Sequence, residues 1–288
     1  MSIFNLYYLY SNWKKKKGAM FDKTLCKKNA RFRNQYKGAR CFIVGNGPSI
    51  KSVDFSLLEK EYVFTVNQIS KNPNYPKLKS NFHFVADKRF FDIDPTRPGD
   101  LELIQSLKLL RTEDNNPECF FEIHAKPMIE RYGLNSILNI NYFASSHLHL
   151  NTFFASHSYD LTRICPDFST VVQTCICSAI YMGFGQIVLL GCDCTSVLNI
   201  INSRINKGVS DYGYAVSDGE QKRLKDLAKK TTIGDELIWQ GQMFKDYDFL
   251  NSYCDEQGIE LLNATESTIL DSVKKVKLKD ILNERVGE

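Results

Sequence analysis

The chain has 288 residues, of which 43% are apolar, 12% aromatic and 24% charged. That composition supports a substantial buried core and excludes a disordered tail, a collagen-like repeat and a disulfide-stapled miniprotein. No run approaches the roughly 18 to 20 apolar residues of a spanning helix, and residues 1–13 have neither the apolar stretch nor the cleavage site of a signal peptide, so a cytoplasmic protein is expected.

The net charge of +4 is unevenly placed, because residues 1–40 hold eleven Lys or Arg against one acid, Asp22. The remaining 248 residues carry 26 basic and 32 acidic side chains. An N-terminal arm, residues 1–38, joins Lys14, Lys15, Lys16 and Lys17 to Phe4, Tyr7, Tyr8, Tyr10 and Trp13. Residues 1–40 therefore suit an anionic membrane surface, and equally a solvated extension or one packed on the domain. The acidic body offers no basic stripe, so nucleic acid is not an expected partner. Nine cysteines, an odd number, read as reduced thiols in a core. The pairs Cys175/Cys177 and Cys192/Cys194 do not have the C-x₂₋₄-C spacing of structural zinc sites, and no metal site is expected.

Strands are predicted in chain order at residues 41–44, 62–66, 82–86, 120–123, 187–190 and 259–262, each a short apolar run closed by turn residues. Helices are predicted at residues 100–110, 126–132 and 170–182, and at 236–257 as one helix or two. This alternation predicts a single α/β domain over residues 39–288, a Rossmann-like, doubly wound, mostly parallel sheet. Right-handed crossovers would align Asn46, Asn67, Asp87 and Asp193 on the carboxyl edge of the sheet, where ligands bind in such folds. Residues 194–235 are polar, dotted with glycine and long for a connection, and read as a lid inserted in that domain. Residues 139–167 are rich in aromatic residues and histidine and show no clean period.

The first chemical candidate is Gly45-Asn46-Gly47-Pro48-Ser49, directly after a strand. Glycines let backbone amides approach an anion, and Ser49 can donate to a phosphate oxygen or cap the next segment. The run lacks the third glycine of a dinucleotide fingerprint and the Lys-Ser/Thr of a P-loop, so a tight structural turn is an equal alternative.

Phe42 to Ile50, followed by Val66-Asn67-Gln68 and later by the run from Thr170 to Gly191-Cys192-Asp193, resembles the bacterial sialyltransferases of glycosyltransferase family forty-two. The same order of motifs resembles the related MptE-like group, which includes 6-hydroxymethylpterin pyrophosphokinases, and Leu262-Asn263-Ala264-Thr265 resembles that group's closing strand. The resemblance implies a glycosyltransferase of cell-surface polysaccharide synthesis, with a nucleotide-sugar donor, most simply a CMP-linked nonulosonic acid, and a glycan acceptor. By position, Gly45, Asn46, Gly47, Pro48, Ser49, Asn67, Gln68, Asp87 and Thr170 would bind the donor nucleotide. Asp87 stands where the sialyltransferases have asparagine, and the MptE-like group tends to have aspartate there. The lid tyrosines Tyr212 and Tyr214 match in placement those that donate to the departing phosphate.

The sialyltransferases take the acceptor proton with a lid histidine, but His83, His124, His147, His149 and His157 all precede Asp193 here. Asp193, Asp211, Asp235 and Glu236 are carboxylates that can replace it, and His147, His149 or His157 can enter from another loop. Asp193, Asp235, Tyr212 and Tyr214 are accordingly the expected catalytic residues. The alternatives are a pyrophosphokinase with magnesium on Asp87 and Asp193, or an inactive nucleotide-binding module. The resembled sialyltransferases also make a homo-oligomer a natural expectation, and the basic aromatic arm makes a peripheral position on the inner face of the cell membrane one.

Overall fold

The computed structural model describes residues 23–148, 150–205, 212–228 and 231–283. The expected positions of residues 1–22, His149 and Asp211 lie outside the described residues, as does part of the lid.

In chain order the helices and strands are α1 Lys23–Lys27, β1 Arg40–Val44, β2 Tyr62–Val66, β3 Phe82–Val85, α2 Pro98–Lys108, β4 Glu118–Glu122, α3 Lys126–Arg131 and β5 Asn139–Ser146. They continue with α4 Leu150–Phe154, β6 Ile164–Pro166, α5 Val171–Met182, β7 Gln186–Leu190, α6 Ser196–Arg204, α7 Asp218–Ala228, α8 Ile233–Glu256, β8 Glu260–Asn263, β9 Lys274–Lys275 and α9 Leu278–Asn283. The strands form one sheet in the order β6-β5-β4-β3-β2-β1-β7-β8-β9. Every neighbouring pair is parallel. The expected α/β class and Rossmann-like architecture are thus observed.

Side chains of a strand alternate between faces, and here both faces are covered. Cys41 and Ile43 of β1, Phe64 and Val66 of β2, and Ile187 and Leu189 of β7 join one buried layer with α5 and α8. Phe42, Val44, Val63, Val188 and Leu190 point the other way, into a second layer with α2, α3 and α9. All nine cysteines are free thiols; eight are buried and Cys194 is half-buried, so the C-x-C pairs fill the core.

Three differences from the sequence reading matter. The stretch without a clean period contains β5 and β6, which extend the sheet beyond β4. The segment expected as one helix or two is a single helix, α8, which opens at a Thr232 capping box. Residues 23–38, grouped with the arm in the sequence, pack on the domain. Cys26, Asn29 and Phe32 are buried, and the Asn29 amide donates to the carbonyls of Tyr142 and Leu161 at 2.8 and 2.9 Å.

Strands β1 to β6 run outward from the middle of the sheet on one side, and the chain then returns to place β7 against the other flank of β1. This reversal between β1 and β7 is the topological switch point, where a parallel sheet opens a crevice at its carboxyl edge. Among the described residues no helix is long and apolar enough to cross a membrane.

Candidate functional site

The loops after β1 and β7 meet at the switch point. The Gly45 amide donates to the Leu190 carbonyl at 2.8 Å and the Gly47 amide to the Gly191 carbonyl at 2.9 Å. Ser49 donates from its amide and its hydroxyl to the two oxygens of Asp193, at 3.1 and 2.7 Å. A Cβ on Gly47 would lie 1.9 Å from Asp193 Oδ2, and one on Gly45 would lie 2.6 Å from the Gly191 carbonyl oxygen. The glycines therefore allow two loops to touch. Their amides, expected to face an anion, are used inside the fold, and so is the Ser49 hydroxyl. Asp193, expected as a catalytic residue, is 2% exposed and braces this junction.

Asn46 and Asn67 stand beside each other at the ends of β1 and β2, and the Asn46 amide nitrogen donates to the Val66 carbonyl at 3.0 Å. Asn67 adopts a left-handed backbone with φ of 50°, which asparagine tolerates better than most residues, and this turns the chain at the strand end. Gln68 is 2% exposed and donates to Glu220 at 2.8 Å. The remaining side-chain oxygens Asn46 Oδ1, Asn67 Oδ1 and Gln68 Oε1 are buried with no hydrogen-bond partner. Buried acceptors without a donor are costly, and three on adjoining strand ends point to donors supplied by a ligand.

These residues line a cleft of about 1120 Å³ that runs along the carboxyl edge, with Asp87, Tyr212 and Tyr214 also on its wall. A smaller recess of about 190 Å³ adjoins it, lined by Asn46, Asn67, Thr170, Val171, Val172 and Tyr212 among others. Thr170 is the N-cap of α5, in a capping box with Gln173. The first turn of α5 therefore borders the recess, where the positive end of the helix dipole favours an anion.

Described residues of the 194–235 segment pack on this edge. The Gly213 amide donates to the Asn46 carbonyl at 2.9 Å, and the Asn72 side chain donates to the Gly213 carbonyl at 2.7 Å. Tyr212 and Tyr214 flank that clasp with their rings stacked 5.3 Å apart at 6°. Tyr214 is buried, and its hydroxyl donates to Glu220 at 3.4 Å. Burial holds that phenol well above its usual range. Tyr212 is half-buried and lines both the cleft and the recess.

Helix α7 is anchored by buried charges. Glu220 accepts from Lys71 at 2.5 Å as well as from Gln68, and Arg223 meets Asp100 at 2.8 Å with Arg97 also on that carboxylate. These ion pairs are the principal site-shaping residues that the sequence reading missed. Glu220 and Arg223 lie three apart on a polar helix, and nothing local marks their partners.

Asp235, expected as catalytic, is corrected by its position. It is the N3 residue of the α8 capping box, exposed, accepting from the Thr232 hydroxyl at 2.6 Å, and it does not line the cleft. The Thr232 hydrogen bonds hold its carboxyl below the usual carboxylate range. The Asn263-Ala264-Thr265 run closes β8 in the interior, where the Thr265 hydroxyl accepts from the Cys192 amide at 2.9 Å.

Among the described histidines, His83 is buried in β3 against Thr65, and burial pushes its imidazole down to about 3. His124 pairs with Glu122 and His157 stacks on Phe153. His147 is on the cleft wall.

No protein-family model matches this sequence, and no curated protein matches it. Two solved structures are similar in fold. One is the sialyltransferase CstII from Campylobacter jejuni, in complex with the substrate analogue cytidine-5'-monophosphate. The similarity covers 82% of this chain and 84% of that one, at 17% identity and a TM-score of 0.39. The other is the MAf glycosyltransferase from Magnetospirillum magneticum AMB-1, covering 88% of this chain and 38% of that one, at 13% identity and a TM-score of 0.46.

Proposed function

We propose that the protein is a glycosyltransferase that takes a sugar from a nucleotide donor bound at the β1/β7 switch point. The observation that carries this reading is the set of three unpartnered buried acceptors, Asn46 Oδ1, Asn67 Oδ1 and Gln68 Oε1, on neighbouring residues that line one cleft. Amino groups of a base and hydroxyls of a ribose or sugar are the donors such acceptors need. The motif order from Gly45 to Asp193 supports a CMP-linked nonulosonic acid as the donor.

In this mechanism the recess at the α5 N-terminus receives the phosphate, and the Tyr212 hydroxyl donates to it as it leaves. Developing charge on the leaving group is then stabilised by fixed dipoles, while the lid excludes water. The acceptor is a glycan hydroxyl, with cell-surface polysaccharide as the product class. The basic aromatic sequence of residues 1–22 favours a peripheral position on an anionic membrane face.

The pyrophosphokinase reading needs Asp87 and Asp193 on one cation. Both oxygens of Asp193 accept from Ser49 inside the fold, which favours a bracing role for this carboxylate over a shared cation site.

The test is a thermal-shift and calorimetry panel of CMP, CDP, UDP, GDP and ATP, each with magnesium and with EDTA. A shift with CMP that survives EDTA is the expected result. A shift that needs ATP with magnesium would overturn the reading.

A further inference from the structure

The far end of the same cleft carries a second group of functional side chains. His147 follows β5 and Asp167 follows β6, so both project from the carboxyl edge that carries Asn46 and Asn67, beyond β4. Their separation is 3.1 Å from His147 Nδ1 to Asp167 Oδ1. An ionised carboxylate has no proton to give, so Nδ1 is the protonated nitrogen and Nε2 is the basic one. Asp246 of α8 joins them on the cleft wall, 5% exposed, and accepts from Gln242 at 2.7 Å. Burial is the main reason its carboxyl sits above the usual range, with the Asp167 charge adding to it and His147 opposing it. The three side chains are thus neighbours on one stretch of the cleft wall, with His147 exposed and Asp246 buried.

The wall around them differs from the donor end. Trp239, 54% exposed, and Gln240 on α8 face the same cleft as Asn151 of α4. An indole face with side-chain amides complements a sugar ring, which has apolar C–H faces and a rim of hydroxyls. At about 1120 Å³ the cleft also exceeds the roughly 300 to 1000 Å³ that holds one small ligand.

We propose that His147, oriented by Asp167, is the general base for the acceptor, and that the β5/β6 end of the cleft is the acceptor subsite for a pyranose hydroxyl. This rests on the glycosyl-transfer reading. His147 Nε2 takes the proton of the attacking hydroxyl as the acceptor oxygen bonds to the anomeric carbon. The anomeric carbon to phosphate oxygen bond breaks, and the nucleoside phosphate leaves with the electron pair. Asp167 is a positioning residue that keeps Nδ1 protonated and balances the imidazolium, the arrangement general to base-orienter pairs.

The experiment compares the wild-type chain with His147→Gln and Asp167→Asn, using CMP-, UDP- and GDP-sugar donors and p-nitrophenyl galactoside, glucoside and N-acetylglucosaminide acceptors. Calorimetry with the matching nucleotides runs beside it. For His147→Gln, kcat of transfer should fall by about 10²- to 10⁴-fold. Nucleotide Kd should stay within about twofold, since binding the nucleotide transfers no proton to His147. Asp167→Asn should lower kcat by at least about tenfold with acceptor KM nearly unchanged, a split that a purely structural role would not give. Transfer by His147→Gln within threefold of wild type overturns the proposal, and so does a parallel loss of nucleotide affinity. Wild-type protein that binds none of the nucleotides overturns the glycosyl-transfer reading itself, and is distinguished by that binding result.

Discussion

Ser49 holds both carboxylate oxygens of Asp193, one from its amide at 3.1 Å and the other from its hydroxyl at 2.7 Å, across 144 positions of sequence. The contact joins the turn after β1 to the end of β7 at the switch point. It makes the Gly-Asn-Gly-Pro-Ser run a close loop junction beside Asn46, which lines the cleft.

Breaking that junction should cost stability. Ser49→Ala removes a hydrogen bond to a buried carboxylate, worth about 1.5 to 3 kcal/mol, and Asp193→Asn should cost a similar amount. Urea unfolding of each variant measures this, and an unchanged midpoint would show that the junction does not hold the edge together.

Asn67 separates backbone from side-chain effects. Asn67→Ala loses the amide and also strains a residue at φ of 50°, whereas Asn67→Gly loses only the amide. Both variants should weaken nucleotide binding by tenfold or more, about 1.4 kcal/mol, while the alanine variant alone should unfold more easily, by about 1 kcal/mol. Calorimetry showing full affinity in the glycine variant would remove Asn67 from the donor site.

Helix α7 depends on a close approach to α2. A Cβ at Gly99 would lie 2.6 Å from the Gly219 carbonyl oxygen, and the nearby Arg223–Asp100 pair is buried. Gly99→Val should push the helices apart, and Arg223→Ala should leave Asp100 with less compensation, a loss of about 3 to 5 kcal/mol when a buried pair is broken. Hydrogen exchange should then quicken in residues 212–228 more than in β1 or β7. Uniform acceleration across the sheet would show that the pair stabilises the whole domain instead of the lid.

His83 predicts a pH dependence. Burial lowers its imidazole from an ordinary 6.5 to about 3, so the unfolded chain binds a proton that the folded chain refuses between those values. The folded protein is therefore favoured above pH 6.5 and loses stability as pH falls toward 3, by up to about 1.4 kcal/mol per pH unit. Urea melts at pH 7.5 and pH 5 should show a smaller drop in His83→Gln than in wild type. Equal drops in the two proteins would assign the acid sensitivity to other groups.

The alternation of strands and helices was legible because apolar runs such as residues 62–66 and 187–190 are buried on both faces and bounded by turn residues. The carboxyl-edge set Asn46, Asn67, Asp87 was legible for the same reason: each residue ends or directly follows a strand whose position the pattern declares. β5 was not, since Asn139 and Asn141 of Asn139–Ser146 are polar, and Asn141 is satisfied by pairing with Glu118 of β4. A strand recruited by its neighbour's side chains carries no hydrophobic period of its own.

The sequence by itself determined the parallel α/β architecture, the sheet edge on which Asn46, Asn67 and Asp87 gather and the free state of the core thiols, because these follow from local periodicity and composition. Tertiary structure alone decided that Asp193 braces a loop and that His147 meets Asp167 on the cleft wall. Those assignments depend on which groups approach within hydrogen-bond distance across 20 to 144 positions of chain, and no short-range pattern encodes such a meeting.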